Sequence, residues 1–359
     1  MTSIQLSNVE LSIIVACRNE HAHIRTLLDC VLGQQLAGVR WETIIADGMS
    51  DDGTREILES FSQQHPEIRV ISNQGRIVST GLNAALQIAG GNVIIRMDAH
   101  TRYSPDYCCS CLQTLEVTQA DNVGGPALTE VQSTPMARAI AAGHQSPFST
   151  GGAHFHDPVH EGFVDTVPYG CWRKETLLRL GGFDESLVRN QDDELNLRLV
   201  RGGGRVYQSP RIHSWYSPRT SITQLFRQYL QYGYWKVAVI RKHGKPASWR
   251  HLVPAAFVGA NLLSLIVILA AMVLRAPRLG SVTEAVWLSI LGAYTVFLAM
   301  ASVLTAMRSG WTILLHLPLV FATYHGSYGL GFALGLLRFT RSRPVTRATT
   351  RSPFAAITR

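Results

Sequence analysis

Asn92-Val93-Ile94-Ile95-Arg96-Met97-Asp98-Ala99-His100 is the stretch that decides the fold class. Val93 to Ile95 form a short apolar run, the length of a strand buried on both faces of a parallel sheet. The run stops at an acid, a small residue and an imidazole. Ligands of open α/β sheets bind outside the carboxyl ends of the strands, so Asp98 and His100, spaced two apart, are candidates to face one cleft. A carboxylate oxygen and an imidazole nitrogen can share one divalent ion, and diphosphates usually bring Mg2+ or Mn2+ with them. Taken alone, the three residues read more readily as a strand ending in a capped turn, so the neighbours decide.

Upstream, Leu11 to Ala16 is a β-branched run ending in Cys17-Arg18-Asn19-Glu20. Ile24, Leu27, Leu28, Val31 and Leu32 then recur at helical spacing. Glu42 to Ala46 is a second strand ending at Asp47-Gly48, and Ser50-Asp51-Asp52-Gly53-Thr54 is a turn rich in N-cap residues that opens a helix over 55–64. A third strand over 69–72 precedes a helix over 80–89, which Gly90-Gly91 stops. Strands and helices alternating at this length mean βαβ units and a mostly parallel, Rossmann-like sheet, so the class is α/β. Three strands end in polar tips, and together they make a cleft. Asp47 can accept hydrogen bonds from a base or ribose, with Asp98 and His100 nearer a diphosphate.

Residues 12–20, 46–54, Asn73-Gln74-Gly75 with Gly81-Leu82-Asn83-Ala84-Ala85, and Asp98-Ala99-His100 resemble family 2 glycosyltransferases of the GT-A fold, in order over roughly the first 240 residues. Arg96-Met97-Asp98-Ala99-His100 with Val188-Arg189-Asn190-Gln191-Asp192-Asp193-Glu194 is similar to the succinoglycan-type exopolysaccharide glycosyltransferases (ExoA-like). The resemblance implies transfer of a sugar from a nucleotide sugar with inversion at the anomeric carbon. It implies nucleotide-sugar contacts at Cys17, Arg18, Glu20, Asp47, Arg76 and Asp98. The family's Asp-x-Asp becomes Asp98-Ala99-His100, which implies Mg2+ or Mn2+ at Asp98 and His100. Its Glu-Asp-x-Glu-Leu-x-x-Arg pattern places the base six residues before the arginine. Counting back from Arg198 gives Asp192, with Gln191 in the glutamate's place and Asp193 as the alternative. Three acids at a helix start also suit the macrodipole without any catalysis.

Further along, the family likeness puts an acceptor-side wall at Tyr169 and Trp172, whose rings suit stacking on sugars as well as packing in a core. Residues 144–160 are rich in Gly, Ser, His and Pro and read as a lid or acceptor-facing loop. His144, His154, His156 and His160 are spaced too irregularly for a metal site. Residues 222–241 form an amphipathic pattern, with Leu225, Tyr229, Tyr232, Trp235 and Lys236 suited to a bilayer surface. Gln231-Tyr232-Gly233-Tyr234-Trp235 is similar to the Gln-x-x-Arg-Trp box of processive synthases, with Tyr234 for the arginine. Gln231 and Trp235 are therefore candidate acceptor contacts, and the missing arginine argues against processive synthesis.

Only 16% of the 359 residues are charged, and the apolar content is concentrated over 252–337. A cytoplasmic catalytic domain (1–220), an interface helix with a basic linker (221–250), transmembrane helices (251–340) and a basic tail (341–359) are expected. Apolar stretches over 253–274, 285–307 and 311–337 are each long enough to cross a bilayer. Three spans would place the arginine-rich tail outside, against the positive-inside rule; either the third stretch is re-entrant or a hairpin, or the rule fails here. The net charge of +8 flanks these stretches, which favours anionic head groups over nucleic acid. The six cysteines read as buried thiols in a reducing compartment. Met1 to Glu10 carries no signal-peptide pattern.

The expectation is thus a multi-pass enzyme of the inner (plasma) membrane with its catalytic domain in the cytoplasm. It moves a sugar, glucose in the first instance, from a UDP-sugar to a polyprenyl-diphosphate-linked saccharide in exopolysaccharide assembly, alongside other assembly proteins. The rivals are a processive synthase, a polyprenyl-phosphate glycosyltransferase and a catalytically silent nucleotide-sugar-binding protein.

Overall fold

The computed structural model describes residues 10–130 and 132–341. They fall into two units, one taking residues 10–130 and 153–217, the other 132–152 and 218–341. The division differs from a single cut at residue 220, because a segment from the middle of the chain packs with the C-terminal helices.

The first unit opens with β1 (Glu10–Cys17), α1 (Ile24–Leu32), β2 (Arg40–Asp47), α2 (Thr54–Gln64), β3 (Ile68–Ser72), α3 (Val78–Ile88) and β4 (Val93–Met97). Next come β5 (Thr101–Tyr103), α4 (Tyr107–Thr118), β6 (Asn122–Gly124) and β7 (Ala127–Thr129). Helices α5 (Pro135–Gln145) and α6 (Pro147–Thr150) belong to the second unit. The first unit resumes with β8 (Gly162–Val164), β9 (Cys171–Arg173), α7 (Lys174–Leu180), α8 (Gln191–Arg201), β10 (Val206–Gln208) and β11 (Ser214–Tyr216).

Its main sheet has the order β3-β2-β1-β4-β9-β6-β10-β8, and a second sheet has the order β5-β11-β7. Strands β3, β2, β1 and β4 are mutually parallel. Strand β9 enters antiparallel between β4 and β6. The apolar runs have no polar face because both sides of these strands are covered. Ile13, Val15, Ile45 and Ile95 pack with α1 and α4, while Ile14, Ile44 and Ile94 pack with α3 and α8. Gly91 lets the chain enter β4 against β1, since a Cβ there would lie 2.5 Å from the Ser12 nitrogen. The register sets Cys17 beside Asp47, Asp47 beside Ser72, and Val15 beside Met97. The three polar tips therefore share one sheet edge. All six cysteines are free thiols.

The second unit contains α9 (Ile222–His243), α10 (Val253–Val273), α11 (Pro277–Ser309) and α12 (Leu317–Arg341), with α5 and α6. Among the described residues, two helical segments, Trp249–Val273 and Pro277–Ser309, are long and apolar enough to cross a membrane. The third apolar stretch instead forms a short 3-10 turn, Trp311–Ile313, and then α12. Helix α12 lies along α9 at backbone contact: a Cβ on Gly233 would stand 2.0 Å from the Tyr328 carbonyl oxygen, and one on Gly331 2.0 Å from that of Leu230. Helix α9 is consequently not the exposed surface helix its pattern suggests, and Trp235, Lys236, Val237 and Val239 are buried. Ala139 and Ile140 of α5 join Phe321 and Tyr324 of α12 in one apolar cluster. The basic tail with Arg343, Arg347, Arg351 and Arg359 lies outside the described residues.

Candidate active site

Two loops leaving the sheet edge are laced together by side chains. The Asn19 amide donates to Asp51 Oδ1 (2.9 Å) and its backbone N–H to Ser50 Oγ (2.9 Å). The Glu20 N–H donates to Thr54 Oγ1 (2.7 Å), and the His21 N–H to Asp52 Oδ2 (3.1 Å). The polar turn over 50–54 was expected to cap α2. The N-cap position is instead Gly53 in the left-handed region with no side-chain cap, and Ser50, Asp51 and Thr54 fix the neighbouring loop. Asn19, Met49, Arg76, Tyr169 and Asn190 hold φ of 56°, 60°, 57°, 59° and 62°. Such backbone is uncommon outside glycine and gathers where surrounding structure holds it for a purpose.

The expected nucleotide-sugar residues divide by exposure. Asp47 is in the edge row but buried, with its carboxylate accepting from Ser50 Oγ (2.5 Å) and lying 3.7 Å from Arg55. Four lone-pair sites leave it capacity for a further donor. Cys17 is a core residue, and burial, with Asp47 beside it, pushes its thiol far up. Its side chain is therefore inert, and only its backbone reaches the loop, accepting from the Gly48 N–H (2.8 Å). Arg18 is half-buried and Arg76 exposed.

Asp98 and His100 are brought together. Asp98 Oδ1 accepts from the His100 backbone N–H (3.0 Å) and faces His100 Nδ1 (2.9 Å). Glu20 reaches the other ring nitrogen, its Oε1 lying 3.2 Å from His100 Nε2. The Asp98 N–H donates to the Tyr103 hydroxyl (2.7 Å). Among the described residues no group of three or more His, Cys, Asp or Glu has the arrangement of a complete metal site. A cation serving a diphosphate takes only one or two protein carboxylates, with the rest from phosphate and water. The donors suit that ion: a buried imidazole nitrogen without a hydrogen-bond partner and carboxylates at hand. A nitrogen ligand favours Mn2+ over Mg2+.

Arg96 was not expected to have a site role, and it proves central. Its guanidinium is buried, ion-paired to Asp192 Oδ1 and 3.7 Å from Asp98 Oδ2. Burial opposes its charge, but Asp192 and Asp98 together hold its pKa above the usual guanidinium value. A charged residue inside an otherwise apolar strand was the available signal, since such a charge demands partners. Asp192 opens α8, where burial pushes its carboxyl up and Arg96 pulls it down, with burial prevailing. Asp193 is half-buried on the next position. Glu194 is fully buried and holds Arg198 by two bonds (3.1 and 2.7 Å), and Arg198 donates on to the Gly182 carbonyl (2.8 Å). The Arg198 of the motif thus anchors α8, and does not itself face the cleft acids.

The acceptor candidates fare unevenly. Tyr169 shares a hydrogen bond with Thr101 Oγ1 (2.5 Å), its ring edge-on to Tyr103 at 5.7 Å. Trp172, on central strand β9, is 1% exposed and packs on Phe183. It cannot stack on a sugar without unfolding the core, which corrects that assignment. Gln231 and Trp235 are 4% and 5% exposed, with Trp235 against Phe339. Both are corrected likewise to packing residues, because the glycines of α12 bring that helix over this face of α9. His154 and His160 stack on each other at 4.4 Å, and Gln208 donates to the Asp157 carbonyl (3.0 Å) in the same loop.

Residues 12–155 match the domain described as Glycosyl transferase family 2. The chain is 31% identical over 258 residues to succinoglycan biosynthesis protein ExoA of Rhizobium meliloti, covering 71% of this chain and 78% of that protein. It is 28% identical over 271 residues to a Methanococcus voltae enzyme named dolichyl N-acetyl-alpha-D-glucosaminyl phosphate 3-beta-D-2,3-diacetamido-2,3-dideoxy-beta-D-glucuronosyltransferase, covering 72% and 81%. Among solved structures, a mannosyltransferase from Pyrobaculum calidifontis, in complex with GDP-Man and Mn2+, matches with a TM-score of 0.55 at 18% identity, over 92% of this chain and 88% of that one. The fold is thus the GT-A fold, and the chain belongs to glycosyl transferase family 2, acting as a nucleotide-sugar-dependent glycosyltransferase.

Proposed function

We propose that this enzyme transfers glucose from UDP-glucose, with inversion, to a polyprenyl-diphosphate-linked saccharide during exopolysaccharide assembly. The similarity to the succinoglycan biosynthesis protein, extending over 71% of the chain, carries the reading. A relative whose name places its acceptor on a dolichyl-linked sugar phosphate supports a lipid-borne acceptor. The exposed apolar face of α10, with Leu263, Ile266, Leu269 and Met272 at 54–71% exposure, supports insertion in a bilayer. On this reading the catalytic unit lies in the cytoplasm at the inner (plasma) membrane, where other assembly proteins meet it.

In the reaction, Asp192 takes the proton from the acceptor hydroxyl as that oxygen attacks the anomeric carbon. The bond from that carbon to the diphosphate breaks on the opposite face, so configuration inverts and UDP leaves. Arg96 holds Asp192 ionised and in place. Asp47, Arg18 and Arg76 with the loop from Cys17 to Glu20 bind the nucleotide, and Tyr169 borders the acceptor. The site around Asp98 and His100 would hold a divalent cation, which when bound would supply charge neutralisation for the departing diphosphate.

The test is incubation of membranes containing the enzyme with a panel of UDP-sugars and a lipid extract, followed by mass analysis of the lipids. One added hexose on a lipid-linked saccharide, from UDP-glucose alone, is expected. A long homopolymer would make the enzyme a processive synthase, and a sugar on bare polyprenyl phosphate would make it a lipid-charging transferase.

A further inference from the structure

We propose that the cation is gripped by His100 Nε2 and the Glu20 carboxylate, and that Asp98 orients the imidazole without binding the ion. The inference rests on the metal-dependent reading above and goes further by naming the ligands. Two features of the His100 nitrogens and one of Glu20 carry it.

First, Nδ1 is already committed. It lies 2.9 Å from Asp98 Oδ1, the oxygen that also accepts the His100 backbone N–H. A carboxylate on one ring nitrogen fixes the tautomer and leaves the other nitrogen its lone pair, the arrangement that supports metal-bound histidines generally. The other Asp98 oxygen faces Arg96 at 3.7 Å, a poor neighbour for a second cation.

Second, Nε2 is close to Glu20 without being hydrogen-bonded to it. The separation from Oε1 is 3.2 Å, yet Nε2 is buried and has no hydrogen-bond partner. An imidazole nitrogen and a carboxylate oxygen this close can both ligate one ion. Adjacent ligands of an octahedral ion with bonds of about 2.1 Å stand roughly 3 Å apart.

Third, Glu20 is held for such a task. Its backbone N–H is bound to Thr54 Oγ1 at 2.7 Å and its carbonyl accepts from His23 and Ile24 (2.8 Å each), so the residue is fixed at both peptide groups. At 5% exposure the Glu20 carboxylate is buried beside the imidazole of His100.

The experiment uses the full chain in detergent with Mn2+ and UDP as probes. Electron paramagnetic resonance reads Mn2+ affinity, and electron spin-echo modulation reads nitrogen bound to the ion. Wild type should show a nitrogen coupling that disappears in His100→Ala. Glu20→Gln should keep the nitrogen coupling and lose at least about tenfold in Mn2+ affinity, the scale on which metal sites answer such changes. Asp98→Asn retains an oxygen to accept from Nδ1–H, so affinity should stay within a few-fold of wild type. Thermal melting without metal, unchanged in Glu20→Gln and Asp98→Asn, separates ligand loss from misfolding; Glu20→Asp, which keeps a carboxylate, should recover part of the affinity if Glu20→Gln melts early. A large loss in Asp98→Asn with none in Glu20→Gln overturns the ligand assignment while leaving metal dependence intact. Wild type that binds no Mn2+ with UDP overturns the metal-dependent reading itself.

Discussion

Arg96 holds Asp192 from inside the sheet, and that contact sets what the acid can do. As the proposed base, Asp192 must be ionised to accept a proton, so turnover should fall as pH drops through its pKa. Burial raises that pKa, and the acid limb of the kcat profile should therefore lie above the ordinary aspartate value of about 3.9. Arg96→Gln removes the opposing charge and should move the limb further up, with lower turnover at neutral pH. It should also cost stability, about 3 kcal/mol or less, since the carboxylate left behind is partly solvated. A limb that stays in place in the variant would show that Arg96 does not act through Asp192. Asp192→Asn should cut kcat by roughly a hundredfold or more while leaving UDP binding intact, the range for loss of a general base. Asp193→Asn should be milder; a larger loss at Asp193, measured at saturating donor, would move the base by one residue. Asp98, His100 and the acids at 192–194 stand out in the sequence as candidates because each follows a strand or opens a helix. The contacts of Arg96 with Asp192 and of Glu20 with His100 were not legible, because each joins residues far apart in the chain that only the folded sheet, its loops and α8 bring together.

At the scale of elements, the packing of α12 on α9 depends on glycines that no periodicity singles out. A methyl group on Gly233 would meet the Tyr328 carbonyl at 2.0 Å, backbone against backbone, whereas one on Gly326 meets nothing within 4 Å. Gly233→Ala should therefore force the helices apart and lower the melting temperature sharply. Gly326→Ala should be neutral or raise it, because alanine is the better helix former by about 1 kcal/mol in water. Equal melting temperatures for the two variants would show that the close approach does not hold this unit together. The same non-local packing explains what the sequence hid here. Gln231 and Trp235 sit in an amphipathic pattern that fits a bilayer surface as well as a helix partner, and only α12 decides between them. Trp172 poses the same ambiguity on a strand: its ring suits a sugar or a core, and its neighbours across β9 put it in the core. By contrast β1, β2, β3 and β4 were readable directly, since runs of β-branched residues four to six long, punctuated by helices, have few other uses. Helix α5 escaped notice because its Ala-rich face becomes apolar surface only against helices some 170 residues later.

For the whole molecule, the proposed membrane placement sets which side each connection should face. If α10 and α11 both cross the bilayer, the chain returns to the side on which it started, and α12 can remain with α9. With the catalytic unit on the cytoplasmic side, as proposed, two crossings would keep the arginines that follow α12 in the sequence on that side, as the positive-inside rule prefers. Three crossings would put them outside and would tear α12 from Gly233. The turn between α10 and α11 holds Arg275 and Ala276, and that between α11 and α12 holds Gly310. Single cysteines placed at 276 and at 310, with the six native thiols left in the protein, should therefore report opposite sides. The native thiols provide the internal control, being buried or half-buried in the catalytic unit. In intact cells made permeable only at the outer membrane, an impermeant maleimide should label Ala276→Cys, while Gly310→Cys should react only after the inner membrane is opened. Labelling of both from outside would rule out the two-span arrangement, and labelling of neither would place α10 and α11 on the membrane surface, so that the apolar exposure of α10 would need a protein partner.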